Sequence, residues 1–175
     1  MKIGLGLGLG PYKGPLHNFS NAGPFTDWLY DTFNTEKRVK FTNPPVEVSS
    51  GIEFNEDKSV LFSIDNHFDL ISAWSMSTPG DVSSIDINND RLTALEYNTS
   101  GETDDPSDLT FVKSGTVMQV LGKDQQEFIY YDLGTAYDPS TAVHNTSETV
   151  DLSNDVLKPS HIEWVKNGRE AHIAD

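Results

Sequence analysis

The sequence predicts an all-β protein, built as an antiparallel β-sandwich or jelly roll with an extended N-terminal arm and at most one short helix. Two observations carry this prediction. Roughly ten short runs of β-branched and aromatic residues follow one another at a spacing near ten residues. Clusters of Asn, Asp, Gly and Pro separate these runs, and no helical periodicity lies between them. With 175 residues, the chain is long enough to bury the core of one compact domain.

Composition divides the chain into three segments. Residues 1–24 are predicted as an extended arm and a linker rich in Pro and Gly, residues 25–45 as a short helix with its connection, and residues 46–175 as the β-sandwich body. The helix is predicted from four large apolar residues at helical spacing, which are Phe25, Trp28, Leu29 and Phe33. We recognise no internal repeat and no second domain.

The first ten residues alternate apolar side chains with glycine. An extended backbone places the apolar residues on one face and the glycines on the other. The apolar residues are Ile3, Leu5, Leu7 and Leu9, and the glycines are Gly4, Gly6, Gly8 and Gly10. The entropy of four glycines opposes order by about 2–4 kcal/mol, and burial of the leucines exceeds that cost. We therefore expect all eight residues to dock on a partner outside their own globule.

The body begins at residue 46, and each of its predicted strands ends at a turn cluster. In chain order the predicted strands cover residues 46–54, 59–64, 67–75, 82–87, 91–97, 109–113, 116–121, 127–133, 148–152 and 161–165. Two polar stretches, residues 101–108 and 138–149, are predicted as exposed loops.

Charge and composition exclude several classes of function. Residues 1–40 hold five basic and three acidic residues, net +2, and the other 135 hold seven basic and 24 acidic, net −17, which together give −15. Such an acidic body repels a polyanion, so we expect no nucleic-acid partner. No apolar stretch is long enough to cross a membrane. The absence of cysteine excludes disulfides and thiol nucleophiles.

The catalytic and cofactor motifs that we considered are all incomplete. The glycines of the arm miss the spacing G-x-G-x-x-G, and neither a Walker loop, G-x-S-x-G nor H-E-x-x-H occurs. Residues 86–90 imitate the first half of a calcium loop, but Arg91 and Tyr97 stand where that loop needs Gly and Glu. An Asx-rich turn is the simpler interpretation. We expect no enzyme and no cofactor.

Two short polar groups could in principle bind a metal. Asp65, His67 and Asp69 lie two residues apart, which places them on one face of a strand. A hairpin that starts with a solvated polar face is the interpretation that we prefer. The same interpretation applies to His161 and Glu163, so we expect no metal site.

Aromatic residues leave open a second class of function. A β-sandwich can present aromatic rings as a stacking platform for sugars, although aromatic residues in alternating strands usually belong to the core. The candidates for such a platform are Trp28, Trp74, Trp164, Tyr130 and Tyr131. Burial of Trp74 and Trp164 would weaken this hypothesis.

The opening MKIGLGLGLG, followed by a Pro/Gly linker, resembles the N-termini of some structural proteins of tailed-bacteriophage particles, in which a terminal segment docks the protein on the head, neck or tail. The resemblance covers ten of 175 residues. It implies a non-enzymatic virion protein, such as a head decoration protein or a neck or tail accessory, whose partners are other virion proteins or copies of itself. The alternative function is a carbohydrate-binding β-sandwich module for host or glycan recognition.

Overall fold

A computed structural model describes residues 49–165 and 170–174 of the chain. The described residues form antiparallel β-sheets, and none of them belongs to a helix of seven or more residues. The predicted all-β class is therefore confirmed. The arm, the linker and the helix predicted within residues 1–45 lie outside the described residues. No helix within the described ranges is long and apolar enough to span a membrane.

The strands form three sheets, and each sheet follows the chain as an up-and-down meander. The first sheet contains β1 (Ser49–Phe54), β2 (Val60–Asp65), β3 (Leu70–Ser75) and β4 (Tyr97–Asn98). The second contains β5 (Pro106–Val112), β6 (Val117–Gly122), β7 (Glu127–Leu133), β8 (Ala142–His144) and β9 (Val150–Asp151), of which β8 and β9 both pair with β7. The third is a hairpin of β10 (His161–Val165) and β11 (Glu170–Ala174).

Two predicted strands, residues 82–87 and 91–97, are mainly turns. Short 3-10 helices occupy Val82–Ser84 and Thr93–Leu95. The carboxylate of Asp81 accepts hydrogen bonds from the backbone N–H of Ser83 at 3.1 Å and from its hydroxyl at 2.6 Å. These local bonds offer the backbone a partner outside a sheet, so the β-branched residues here do not form a strand.

The first and second sheets pack against each other around one hydrophobic core. Its buried members come from strands of both sheets, namely Phe62, Ile64, Ile71, Ala73, Leu109, Met118, Val120, Ile129, Tyr131 and Leu133. A smaller cluster of Leu121, Phe128, Leu152 and Ile162 connects the second sheet to β10. Nearly every residue of β2 and β6 is buried, so both faces of these strands are covered.

The first two sheets repeat one unit at an offset of 57 residues. β1, β2 and β3 begin at 49, 60 and 70, and β5, β6 and β7 begin at 106, 117 and 127, a difference of 57 each time. The 3-10 turn capped by Asp81 recurs at Pro139–Thr141, where the carboxylate of Asp138 accepts from Ser140 with the same two distances, 3.1 and 2.6 Å. The expectation that the chain has no internal repeat is therefore wrong.

A third copy of the unit begins at β10. Residues 50–54, 107–111 and 160–164 read SGIEF, SDLTF and SHIEW, so each first strand carries Ser, any residue, an aliphatic residue, any residue and an aromatic residue. Consecutive four-stranded antiparallel meanders are the plan of β-propeller blades. In the described part of the chain, the first sheet is such a meander, the second adds a fifth short strand, β9, and the third contributes one hairpin.

Candidate functional site

The first strands of the three units meet at a cleft. It has a volume of about 340 Å³ and is lined by Ser49, Ser50, Gly51, Ile52, Asp108 and His161. Gly51, Asp108 and His161 are the residues that follow the serine in SGIEF, SDLTF and SHIEW. The equivalent residues of the three units, Gly51, Asp108 and His161, therefore all line the cleft, and each unit has a different amino acid at this position.

The same hydrogen bond joins each unit to the next. The hydroxyl of Ser50 donates to the backbone oxygen of Pro106 at 2.7 Å. One unit later, the hydroxyl of Ser107 donates to the backbone oxygen of Pro159 at 2.8 Å. Each bond links two first strands beside the cleft, so the spacing of β1, β5 and β10 is set by the repeat itself.

Gly51 lets β1 approach β5 at the cleft. A Cβ atom at this position would lie 2.4 Å from Oδ1 of Asp108 and 2.8 Å from its Cα. Both distances are far shorter than a van der Waals contact, so no larger residue fits without moving one of the strands. The glycine makes room for the carboxylate of the next unit.

Asp108 is buried and its carboxylate bonds to two strands. Oδ1 accepts from the backbone N–H of Leu109 at 2.9 Å, and Oδ2 accepts from the backbone N–H of Ile162 at 2.9 Å. The second bond connects β5 to β10. A buried carboxylate needs such donors because an isolated charge in the interior is costly.

The imidazole of His161 lies against this carboxylate. Nδ1 of His161 is 2.7 Å from Oδ2 of Asp108, and the side chains are 64% and 7% exposed, respectively. A carboxylate at this distance from one ring nitrogen favours the tautomer that carries its proton there. The other nitrogen, Nε2, is then left with a lone pair that can accept a proton.

Glu53 lies two residues beyond Gly51 on β1 and is half-buried. Its carboxylate accepts from the N–H of Phe54 at 2.8 Å and from the hydroxyl of Thr110 at 3.2 Å. Burial raises the pKa of Glu53 above its usual value, the two hydrogen bonds act in the opposite direction, and the charge of Asp108 adds to the increase. Glu53 thus contacts β5 two residues beyond Asp108.

The structure places the first metal-site candidate in the turn between β2 and β3. Asp65 is fully buried, and its Oδ1 accepts from the backbone N–H groups of His67 and Phe68, both at 2.9 Å. Asp69 follows with a positive φ of 51°. These contacts favour the hairpin interpretation. Within residues 49–165 and 170–174, no three His, Asp or Glu side chains are grouped so that they could hold a metal ion.

The calcium-like stretch is an Asx turn, as interpreted from the sequence. Oδ1 of Asp86 accepts from the N–H of Asn88 at 3.0 Å, and Oδ2 accepts from the amide of Asn89 at 2.6 Å. The N–H of Asp86 donates to Asp90 at 2.7 Å. These oxygens already accept hydrogen bonds from the turn itself.

The aromatic platform predicted for a sugar is absent among the described residues. Trp74 is 2% exposed and Tyr131 is fully buried, so both rings belong to the interior. Trp164 is half-buried, and its Nε1–H donates to the side-chain oxygen of Gln119 at 2.7 Å. Tyr130 is half-buried beside Phe128. Trp28 lies outside the described residues, as do the eight arm residues.

Sequence reasoning missed Asp108 and its contact with His161. The acidic stretch 101–108 is predicted to be an exposed loop, yet Asp108 lies in β5 and is buried. His161 is predicted to lie on a solvated strand face, and its side chain is 64% exposed, but the buried carboxylate beside it was not anticipated. The alignment of SGIEF, SDLTF and SHIEW is the signal that could have found the pair, because it places both residues at one position of neighbouring units.

No protein-family model matches the chain, and no curated protein is similar to it in sequence. Among solved structures, proposed 6-phosphogluconolactonases from Bacteroides uniformis and Bacteroides fragilis each superpose with a TM-score of 0.49, at 12% and 10% identity. They cover 73% and 70% of this chain, and 33% and 30% of their own. The periplasmic gluconolactonase of Pseudomonas aeruginosa superposes with a TM-score of 0.47 at 12% identity, over 71% of this chain and 33% of its own.

This chain thus spans about a third of the length of those proteins. The expected function, a phage structural protein or a carbohydrate-binding module, is wrong. The three structures are lactonases by name, and none of them is a virion protein. All three names are names of enzymes, which the expectation of a non-enzymatic chain did not anticipate. Identity this low transfers no particular activity to this chain.

Proposed function

We propose that this chain hydrolyses an ester or lactone bond in the cleft between the first strands, with His161 as the general base. The supporting observation is the distance of 2.7 Å between Nδ1 of His161 and the buried carboxylate of Asp108. The imidazole is 64% exposed, whereas the carboxylate of Asp108, which also lines the cleft, is 7% exposed. A base that is open to substrate and held from behind is the arrangement that general-base catalysis needs.

The proton path follows from this geometry. Asp108 keeps a proton on Nδ1, so Nε2 of His161 accepts the proton of a water molecule in the cleft. The water oxygen bonds to the carbonyl carbon of the substrate at the same time. The C–O bond of the ester then breaks, and the proton on Nε2 passes to the departing alkoxide. The products are a carboxylic acid and an alcohol. When the substrate is a lactone, both groups belong to a single hydroxy acid.

Asp108 acts here as a positioning residue. Its hydrogen bonds to the backbone of Leu109 and Ile162 hold the carboxylate in place from both β5 and β10. The imidazole consequently has a defined position relative to the cleft, although it is exposed. Proton transfer by a group positioned in this way typically contributes about 10²–10⁴-fold to the rate.

The test is His161→Gln in the full chain, with proton release from simple lactones as the assay. Lactones are the first substrates to try because the three solved structures are named for them. We expect kcat/KM to fall by about 10²–10⁴-fold. The melting temperature should stay within about a degree or two, because the side chain of Gln keeps an N–H donor for the buried carboxylate of Asp108.

The matched control is His172→Gln. His172 is also exposed and lies on the neighbouring strand β11, where it pairs with Glu163 and is not among the residues that line the cleft. Hydrolysis should be unchanged in this variant. Equal activity of the two variants and the unaltered protein would contradict the proposed function.

A further inference from the structure

We infer that the cleft selects an uncharged lactone or ester and excludes a substrate that carries a phosphate group. This inference rests on the proposed hydrolytic function and adds to it the class of substrate. Two of the similar structures are named for a phosphorylated sugar lactone. The substrate inferred for this chain differs from that compound because it carries no phosphate group.

The charges around the cleft carry the inference. Asp108 lines it, and the carboxylate of Glu53 lies beside the same strand, β5, where it accepts a hydrogen bond from the hydroxyl of Thr110 at 3.2 Å. No Lys or Arg occurs among the described residues that line the cleft. Elsewhere, Arg91 pairs with Glu96 and Lys123 with Asp105.

A phosphate group in such a site lacks the partner that proteins normally provide. Phosphate recognition uses Arg, Lys or a row of backbone N–H groups that point at the anion. Two of the backbone N–H groups beside the cleft, those of Leu109 and Ile162, already donate to Asp108. Repulsion between like charges is stronger near a protein surface than in bulk water. A phosphorylated substrate would therefore lose affinity for each carboxylate that it approaches.

Ile52 supplies the attractive part of the selectivity. Ile52 is 56% exposed and is among the residues that line the cleft. When an apolar group of a ligand covers an exposed aliphatic side chain, apolar surface is buried and binding becomes more favourable. A hydroxyl or a phosphate group in the same place does not provide this free energy. The expected substrate thus presents an alkyl portion next to its carbonyl group.

The first experiment compares three lactones on the unaltered full chain: δ-hexalactone, glucono-δ-lactone and 6-phosphoglucono-δ-lactone. We expect kcat/KM to decrease in that order, and the alkyl lactone to exceed the phosphorylated one by at least about 100-fold, equivalent to about 2.7 kcal/mol. Equal or faster hydrolysis of the phosphorylated lactone would overturn the inference while leaving the hydrolytic function intact.

The second experiment reverses the charge locally. Ile52→Lys places a cation at the cleft. The ratio of kcat/KM for the alkyl lactone to kcat/KM for the phosphorylated lactone should decrease about tenfold. Val143→Lys is the matched control, because Val143 is an aliphatic strand residue that is 67% exposed and lies outside the cleft. If both variants narrow the preference equally, the selectivity comes from the net charge of the whole chain, and the inference about the cleft is wrong.

A binding measurement separates the inference from the proposed function. The ring signals of His161 are followed by NMR during titration with δ-valerolactam, a stable uncharged analogue, and with 6-phosphogluconate. A response to the lactam alone supports the selectivity even if no lactone is hydrolysed, in which case only the proposed function fails. A response to 6-phosphogluconate at equal or lower concentration, or to neither compound, overturns the selectivity.

Discussion

Replacement of Gly51 by alanine should destabilise the protein at the junction between its first two units. The added Cβ would lie 2.4 Å from Oδ1 of Asp108 and 2.8 Å from its Cα. A flexible side-chain end could turn away, but a backbone Cα cannot, so β1 and β5 must move apart. The hydroxyl of Ser50, which donates to Pro106 across this junction at 2.7 Å, would be drawn away from its acceptor.

The size of the effect follows from these two losses. Overpacking of a close contact costs about 1–3 kcal/mol, and one hydrogen bond contributes about 1 kcal/mol. Together they predict a loss of about 2–4 kcal/mol. For a chain of this length each kcal/mol lowers the melting temperature by about 2–4 °C, so we expect a decrease of roughly 4–16 °C.

Thermal unfolding followed by circular dichroism measures this decrease. The control is Gly101→Ala, because a Cβ at Gly101 meets nothing within 4 Å, and its melting temperature should stay close to that of the unaltered protein. If Gly51→Ala also melts within a degree of the unaltered protein, β1 and β5 are not packed as closely as the contact at Asp108 requires.

Two further predictions concern buried polar groups. Burial raises the pKa of Glu53. The folded state therefore holds the proton of this carboxyl group at a pH where the unfolded chain has lost it. The contribution of Glu53 to stability consequently decreases as the pH rises above about 4.5. Glu53→Gln should therefore gain stability relative to the unaltered protein between pH 4.5 and 7, measured by urea unfolding, and a constant difference across this range would contradict the reasoning. The hydroxyl of Ser72 is fully buried and has no hydrogen-bond partner within residues 49–165 and 170–174, so Ser72→Ala should raise the free energy of unfolding by about 1 kcal/mol; a loss of stability would show that the hydroxyl is satisfied.

Several elements of the fold could be predicted from the sequence because their patterns are local. Runs of β-branched and aromatic residues between turn clusters predicted β2, β3, β6 and β7 to within a few residues, because both signals lie within a few positions of each strand. The prediction of a strand at residues 82–87 was wrong because the carboxylate of Asp81 caps a 3-10 turn there. A pattern of apolar residues along the sequence does not reveal such a hydrogen bond between a side chain and the backbone.

The candidate site could not be found by the same means. Asp108 and His161 are 53 residues apart and belong to different units, so no local window contains both. Asp108 was also misread as a loop residue, because an acidic stretch usually lies in solvent. Its burial depends on donors from Leu109 and Ile162, and the second of these is supplied by a different strand.

The sequence by itself determined the all-β class, the positions of most strands and a repeat that was already present in SGIEF, SDLTF and SHIEW. These follow from the alternation of side chains and from turn residues, which act over a few positions along the chain. Only the tertiary structure decided that Gly51, Asp108 and His161 share one cleft, because side-by-side packing of three first strands brings together residues that are distant in sequence. The chemistry of an exposed imidazole against a buried carboxylate exists only once those strands have met.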